Sequence, residues 1–304
     1  MRFLIFAIVL AIFEGANVRT AAQEIDVTEI VEAHDAFKER DSSANRKKLL
    51  KALQAYQDDA TMESVQAHLD LLGSDAASGR HGRMRESALA AAVHLEPISD
   101  ILPKQYIEAK YVAAVALFNE SQKPGAMLEM AHVEGFLRAH ADENGEQPEW
   151  AIDLDWKAEA WRYAMEAYFI SVGDRYPNDA EIEAAIDGYK PEMGWPEDDI
   201  DAAEVENELP HCAGQMIQKP KLRYRAGQAF RGMYGAVILG LEFDEDGNVI
   251  NPKVHAAVPL EEFDAQSLRA VSQWRLEPED PTQVGVTCRL EYTNVVQPIT
   301  FILD

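Results

Sequence analysis

Residues 236–258, AVILGLEFDEDGNVINPKVHAAV, constrain this chain more than any other stretch. Val237, Leu239, Leu241 and Phe243 recur at every second position, the period of a strand with one buried face. Ala236, Ile238, Gly240 and Glu242 form the opposite, mildly apolar face. Asp244-Glu245-Asp246-Gly247-Asn248 has the composition of a tight turn, with Gly247 free to take positive φ, and Val249–Val258 returns as a second strand. Phe263, Asp264, Leu268, Ala270, Val271 and Trp274 then follow at helical spacing. The closing stretch VTCRLEYTNVVQPITFIL is rich in β-branched residues and reads as a strand. The order is β-β-α-β, a small sheet with one helix on a face.

What precedes the hairpin is helical in pattern. Apolar residues repeat at spacings of three and four over Thr28–Arg40, Asn45–Gln57 and Asp58–Leu72, and Gly73-Ser74-Asp75 is expected to end the third helix. A looser basic run, Arg80–Arg85, leads to Ser87–Leu95. After Pro97 and Pro103 come helices over Gln105–Phe118, Ala126–His140, Ile152–Val172 and Asp179–Asp187. Two segments echo one another 51 residues apart: EAKYVAAVALF at Glu108–Phe118 and EAWRYAMEAYF at Glu159–Phe169. The echo resembles stacked tetratricopeptide-like hairpins, and an irregular helical domain is the alternative. Lys190–Leu209, acidic and with two prolines, reads as an extended linker. The fold class is therefore α+β, with four expected segments: a signal peptide at 1–22, an acidic helical domain at 23–189, a linker at 190–210 and a small β-β-α-β domain at 211–304.

Charge narrows the partners. The chain holds 28 Lys and Arg against 53 Asp and Glu, a net of −25, of which only −3 belongs to residues 211–304. Such acidity repels phosphate backbones and excludes nucleic acid as a partner. At the N-terminus Arg2 precedes an unbroken apolar run, Phe3–Phe13. As a helix this run would reach roughly 16 Å, about half a hydrocarbon core. It reads as a secretory signal cleaved before Gln23, giving a periplasmic protein; an uncleaved anchor in the inner membrane is the alternative. In an oxidising compartment Cys212 and Cys288 are candidates for one disulfide, with two buried thiols as the other reading.

The C-terminal residues resemble the C-terminal domain of TonB-type proteins over about residues 220–303. The likeness rests on an ordered set: Tyr224, Gly232 and Gly235, DEDGNV at Asp244–Val249, FDAQSL at Phe263–Leu268, AVSQWRLEP at Ala270–Pro278 and PITFIL at Pro298–Leu303. Arg225 and Gln266 depart from the family pattern. The resemblance implies that the last strand lies at a sheet edge and pairs with an extended segment of an outer-membrane receptor. Pro298, which lacks an N–H, agrees with an edge position. Val295, Val296, Gln297, Ile299 and Phe301 are the partner-binding residues on this reading. The long Pro-rich spacer of an energy transducer is absent from the sequence.

Enzymatic signatures are missing: there is no G-x-S-x-G, H-E-x-x-H, P-loop or C-x-x-C. No catalytic residue, cofactor or metal is expected. His132 and Glu134 form an H-x-E without its companion cysteines, and His132 with His140 lacks further ligands. Trp150, Trp156 and Trp161 read as core packing, with a groove as the other use of the same residues. The functional expectation is a non-enzymatic periplasmic interaction protein that assists envelope transport or assembly. The alternative is an atypical membrane-anchored transducer.

Overall fold

The computed structural model describes residues 27–56, 60–120, 123–142, 145–172, 180, 209–218 and 233–302. The expected signal peptide lies outside them, as do the helix at 179–187 and the linker at 190–210 apart from Ala180, Leu209 and Pro210. The fold is α+β, and the chain divides into two compact units, Met1–Ala116 and Leu117–Asp304.

The first unit is helical: α1 (Thr28–Glu39), α2 (Ser43–Ala55), α3 (Met62–Ala77), α4 (His81–Leu95) and most of α5 (Pro103–Asn119). Ile30, Ala33 and Phe37 of α1 pack with Leu49, Ala52 and Leu53 of α2 and with Ala67 and Leu71 of α3. A second cluster joins Leu72 to Ala88, Ala91 and Ala92 of α4 and Ala109 and Ala113 of α5. Thr61 and Ser64 cap α3 reciprocally: the Ser64 N–H donates to Thr61 Oγ1 at 3.1 Å, and the Thr61 N–H donates to Ser64 Oγ at 2.9 Å. The helix does not stop at Gly73 but runs to Ala77, because four residues beyond Gly73 keep helical pairing and nothing crowds the glycine. The basic run is likewise not a loop. It opens α4, where Arg83 Nη2 donates to Ser43 Oγ at 2.7 Å. Buried Arg46 ties three helices together, donating to Asp75 of α3 at 2.9–3.1 Å and through Nη1 to Glu86 of α4 at 2.7 Å.

The second unit contains α6 (Lys123–Ala139), α7 (Glu149–Val172), β1 (Gly214–Ile217), β2 (Gly235–Phe243), β3 (Val249–Val258), α8 (Asp264–Val271), β4 (Arg275–Pro278) and β5 (Tyr292–Phe301). The return strand β3 has the bounds the sequence implied. The final strand is shorter than expected: around Val286–Cys288 the chain folds into a turn, with the Gln283 carbonyl accepting from the N–H groups of Val286, Thr287 and Cys288 at 2.9–3.2 Å. Two short strands lay below the sequence signal: β1 pairs antiparallel with β4, Gly214 opposite Pro278 through Ile217 opposite Arg275.

The main sheet has the order β3-β2-β5, all antiparallel. Its alternation serves two cores. Val237, Leu239, Leu241 and Phe243 face α8, where they pack with Phe263, Val271 and Trp274. The opposite, mildly apolar face is covered by a helix: Ala236, Ile238, Ala256 and Val258 pack with Ala160 and Ala164 of α7, with Trp156, Trp161 and Tyr163 beside them. Alanines on the helix face allow its backbone to lie close to the sheet. The two echoed segments therefore serve different neighbours, since Ala109 and Ala113 pack on helices while Ala160 and Ala164 pack on strands.

Candidate strand-pairing site

Among the described residues β5 is the outer strand on its side of the sheet. Its inner side follows β2 in register, with Phe301 opposite Gly235, Ile299 opposite Val237, Gln297 opposite Leu239, Val296 opposite Gly240 and Val295 opposite Leu241. The pleat sends Val295, Gln297, Ile299 and Phe301 to the α8 side. Ile299 and Phe301 are buried there, and the Phe301 ring stacks on Phe263 at 4.0 Å. Val296, 44% exposed, points to the α7 side. All five residues named from the sequence thus share one strand. Of the five only Val296 is exposed, at just under half of its surface, whereas Ile299 and Phe301 have only backbone to present.

The strand's own chemistry sets what that edge can do. Pro298, opposite Ile238, removes one donor from the strand, and Gln297 Nε2 donates to the Pro298 carbonyl at 2.8 Å. Peptide groups on the side of a strand away from its neighbour are of the kind that strand addition uses. Gly235, opposite Phe301, has no room for a side chain, because a Cβ there would run into the Val258 carbonyl and the Phe263 ring.

The N-terminal end of β5 is tied down. Cys212 and Cys288 are joined, Sγ to Sγ at 2.08 Å, with Cα atoms 4.8 Å apart. The Cys212 N–H donates to the Arg289 carbonyl at 2.8 Å, and Tyr292 Oη donates to the Cys212 carbonyl at 3.0 Å. The Tyr292 ring stacks on His211 at 4.1 Å.

Beside β5, on the α7 side, the helix cover stops at Trp156 and a recess of about 360 Å³ opens. Val296 and Gly240 line it together with Trp156, Glu242, Asn251, Lys253 and His255. Two register shifts in the β2–β3 pairing shape it, one between Ile238 and Leu239 and one between Gly240 and Glu242. Such irregularities turn side chains out of the regular pleat. His255 comes to lie over Gly240, where any Cβ would meet its Nε2 at 2.5 Å, and its ring stacks on Trp156 at 4.5 Å. Burial, followed by the charge of Lys253, holds the His255 imidazole below its ordinary pKa. Asn251, at φ 47°, donates from Nδ2 to Glu242 Oε2 at 3.2 Å. Nothing in the sequence marked this recess, because it depends on where the bulges fall.

The remaining candidates have structural partners. Glu134 is fully buried and accepts from Arg162 Nε at 2.7 Å and Arg138 Nη2 at 3.4 Å. Burial pushes its carboxyl up to about 7 against the pull of those two arginines. His140 bonds the Phe136 carbonyl through Nδ1 at 2.8 Å and lies edge-on to Trp150. Trp161 lies edge-on to Phe118, which is also edge-on to Tyr168 and Tyr234. Lys123 Nζ lies 4.0 Å from the centre of the Tyr168 ring and 4.3 Å from that of Phe118. Among the described residues no group of His, Cys, Asp and Glu is arranged to hold a metal, and no helix is long and apolar enough to cross a membrane.

No curated protein matches the chain in sequence. The order of elements, the hairpin turn and the apolar edge strand nevertheless have a counterpart, for residues 220–301 match the family model described as Gram-negative bacterial TonB protein C-terminal.

Proposed function

We propose that this is a non-enzymatic interaction protein of the Gram-negative periplasm. Its TonB-type C-terminal segment pairs through β5 with an extended segment of a partner, such as the N-terminal stretch of an outer-membrane receptor, in the service of envelope transport or assembly. The observation that carries this reading is the β5 edge within a segment that matches the TonB C-terminal model. The helical first unit would hold a second partner. The test is binding of a receptor-derived peptide to the full chain and to Val296→Pro. Strand addition requires the wild type to bind and the variant to lose most of the affinity; equal binding refutes it. Fractionation and intact mass after expression in a Gram-negative host separate this reading from a membrane-anchored transducer. A periplasmic species starting near Gln23 supports the interaction protein, and an uncleaved species in the membrane fraction supports the transducer.

A further inference from the structure

We propose that the recess between Trp156 and Val296 is a side-chain pocket for the paired segment, and that it takes an aromatic residue. The inference rests on the edge-pairing reading above and adds a specificity to it.

The geometry begins at Val296. This residue belongs both to the β5 edge and to the wall of the recess, so the pocket opens onto the line that an added strand would follow. A strand laid beside β5 sits about 4.8 Å from it, and its side chains alternate between the two faces of the sheet. The residue opposite Val296 therefore projects onto the α7 side, at the mouth of the recess. To reach the space above β2 its side chain must pass over Val296, which calls for a long or broad group. Gly240, directly across from Val296, has no side chain, and the His255 ring that lies over it forms the inner wall against which the guest would rest.

The walls select the chemistry. Trp156 and His255 form a stacked aromatic wall, and burial followed by the charge of Lys253 favours the neutral imidazole there. Lys253 and Glu242 place one cation and one anion in the same small space. A charged guest gains from one and is opposed by the other, whereas an aromatic guest meets the lysine with its ring face and the carboxylate with its positive edge. Tyrosine adds a hydroxyl that can donate to Glu242. A volume of about 360 Å³ suits one such ring. The two irregularities in β3 turn His255 and Asn251 out of the regular pleat at the recess that borders the edge.

The experiment uses the full chain and a displayed library of eight-residue extended peptides, followed by synthetic peptides from the enriched set that differ only by Tyr or Ala at the position facing Val296. Strand pairing is checked independently of protein variants by N-methylating, in turn, alternate backbone amides of the peptide; one set blocks pairing with β5 and the other does not. The expected result is alternating sensitivity to N-methylation with the Tyr peptide binding about tenfold more tightly than the Ala peptide. That preference should fall to near parity in Trp156→Ala and be retained in Ile170→Ala, a change on an exposed part of the same helix. Peptides that pair with β5 but show no preference for Tyr, or keep it in Trp156→Ala, overturn the pocket and leave the edge reading standing. Absence of any alternating N-methyl effect overturns the edge reading and the pocket with it.

Discussion

A carboxylate placed at Ala164 tests whether α7 belongs to the sheet. Ala164 is fully buried and packs in a patch of Ala160, Ala236, Ile238, Ala256 and Val258. In Ala164→Glu the new carboxyl enters that patch. Burial that raises its pKa by about 3 units costs about 4 kcal/mol at neutral pH. The added bulk costs about 1 kcal/mol more at the least. The expected loss is therefore about 5 kcal/mol at pH 7. Ile170→Glu provides the control: it puts the same carboxylate on the same helix at a 49% exposed position and should shift stability by about 0.5 kcal/mol or less. Urea unfolding followed by tryptophan fluorescence reads both variants, since Trp156 and Trp161 flank the patch and Trp274 lies in the opposite core. The loss in Ala164→Glu should shrink as pH falls from 7 toward 5, because the buried carboxyl then protonates at lower cost. A cost within about 1 kcal/mol of the control, or one that ignores pH, would refute the packing argument.

Three further outcomes are expected. Reduction of Cys212–Cys288, separated by 76 residues, should lower stability by about 4.5 kcal/mol through loop entropy, read as a shift in the urea midpoint with and without reductant; two titratable thiols in unreduced protein would overturn it. Arg46→Met should cost about 3–5 kcal/mol by leaving Asp75 buried without its partner, and adding Asp75→Asn should recover much of the loss in a thermal melt; strict additivity would contradict the ion pair. The two units should respond to pH in opposite directions. Burial and then neighbouring His94 hold the His68 pKa down to about 3, so its contribution is present above 6.5 and is lost as pH falls toward 3. Burial pushes Glu134 up to about 7, so its contribution is present below 4.5 and is lost as pH rises toward 7. Between pH 5 and 6.5, amide exchange corrected for its intrinsic rate should slow in α3 and quicken in α6; parallel changes would defeat the argument.

The hairpin, α8 and the place of β5 were legible because each carries a local signal: strict alternation and a turn glycine in the hairpin, apolar residues at helical spacing in α8, and in β5 a proline that a central strand would not tolerate. β1 and β4 carry none, since four residues show at most two turns of the pleat. The sequence also assigned α7 to the helical part of the chain. Its apolar residues occur almost all round, because α6 lies on one side and the sheet on another. A helix buried on two sides has no single stripe to reveal its neighbours. The order of residues along β5 could be read in advance, and the recess could not. Alternation along β5 follows from the sequence, whereas the position of His255 above Gly240 follows from a shifted register.

The antiparallel pairing of β5 with β2 also has a mechanical consequence. A partner joined along β5 and pulled parallel to the strands would load the ladder from Gly235–Phe301 to Phe243–Tyr292 in shear, so that its hydrogen bonds share the force instead of opening one after another. The tension would pass into the middle strand, which is packed on both faces. At the other end, the Cys212–Cys288 bond fastens the chain four residues before β5 begins, so peeling from that side meets a covalent stop. Under such a load the edge would bear traction along its length and would yield to a pull across it.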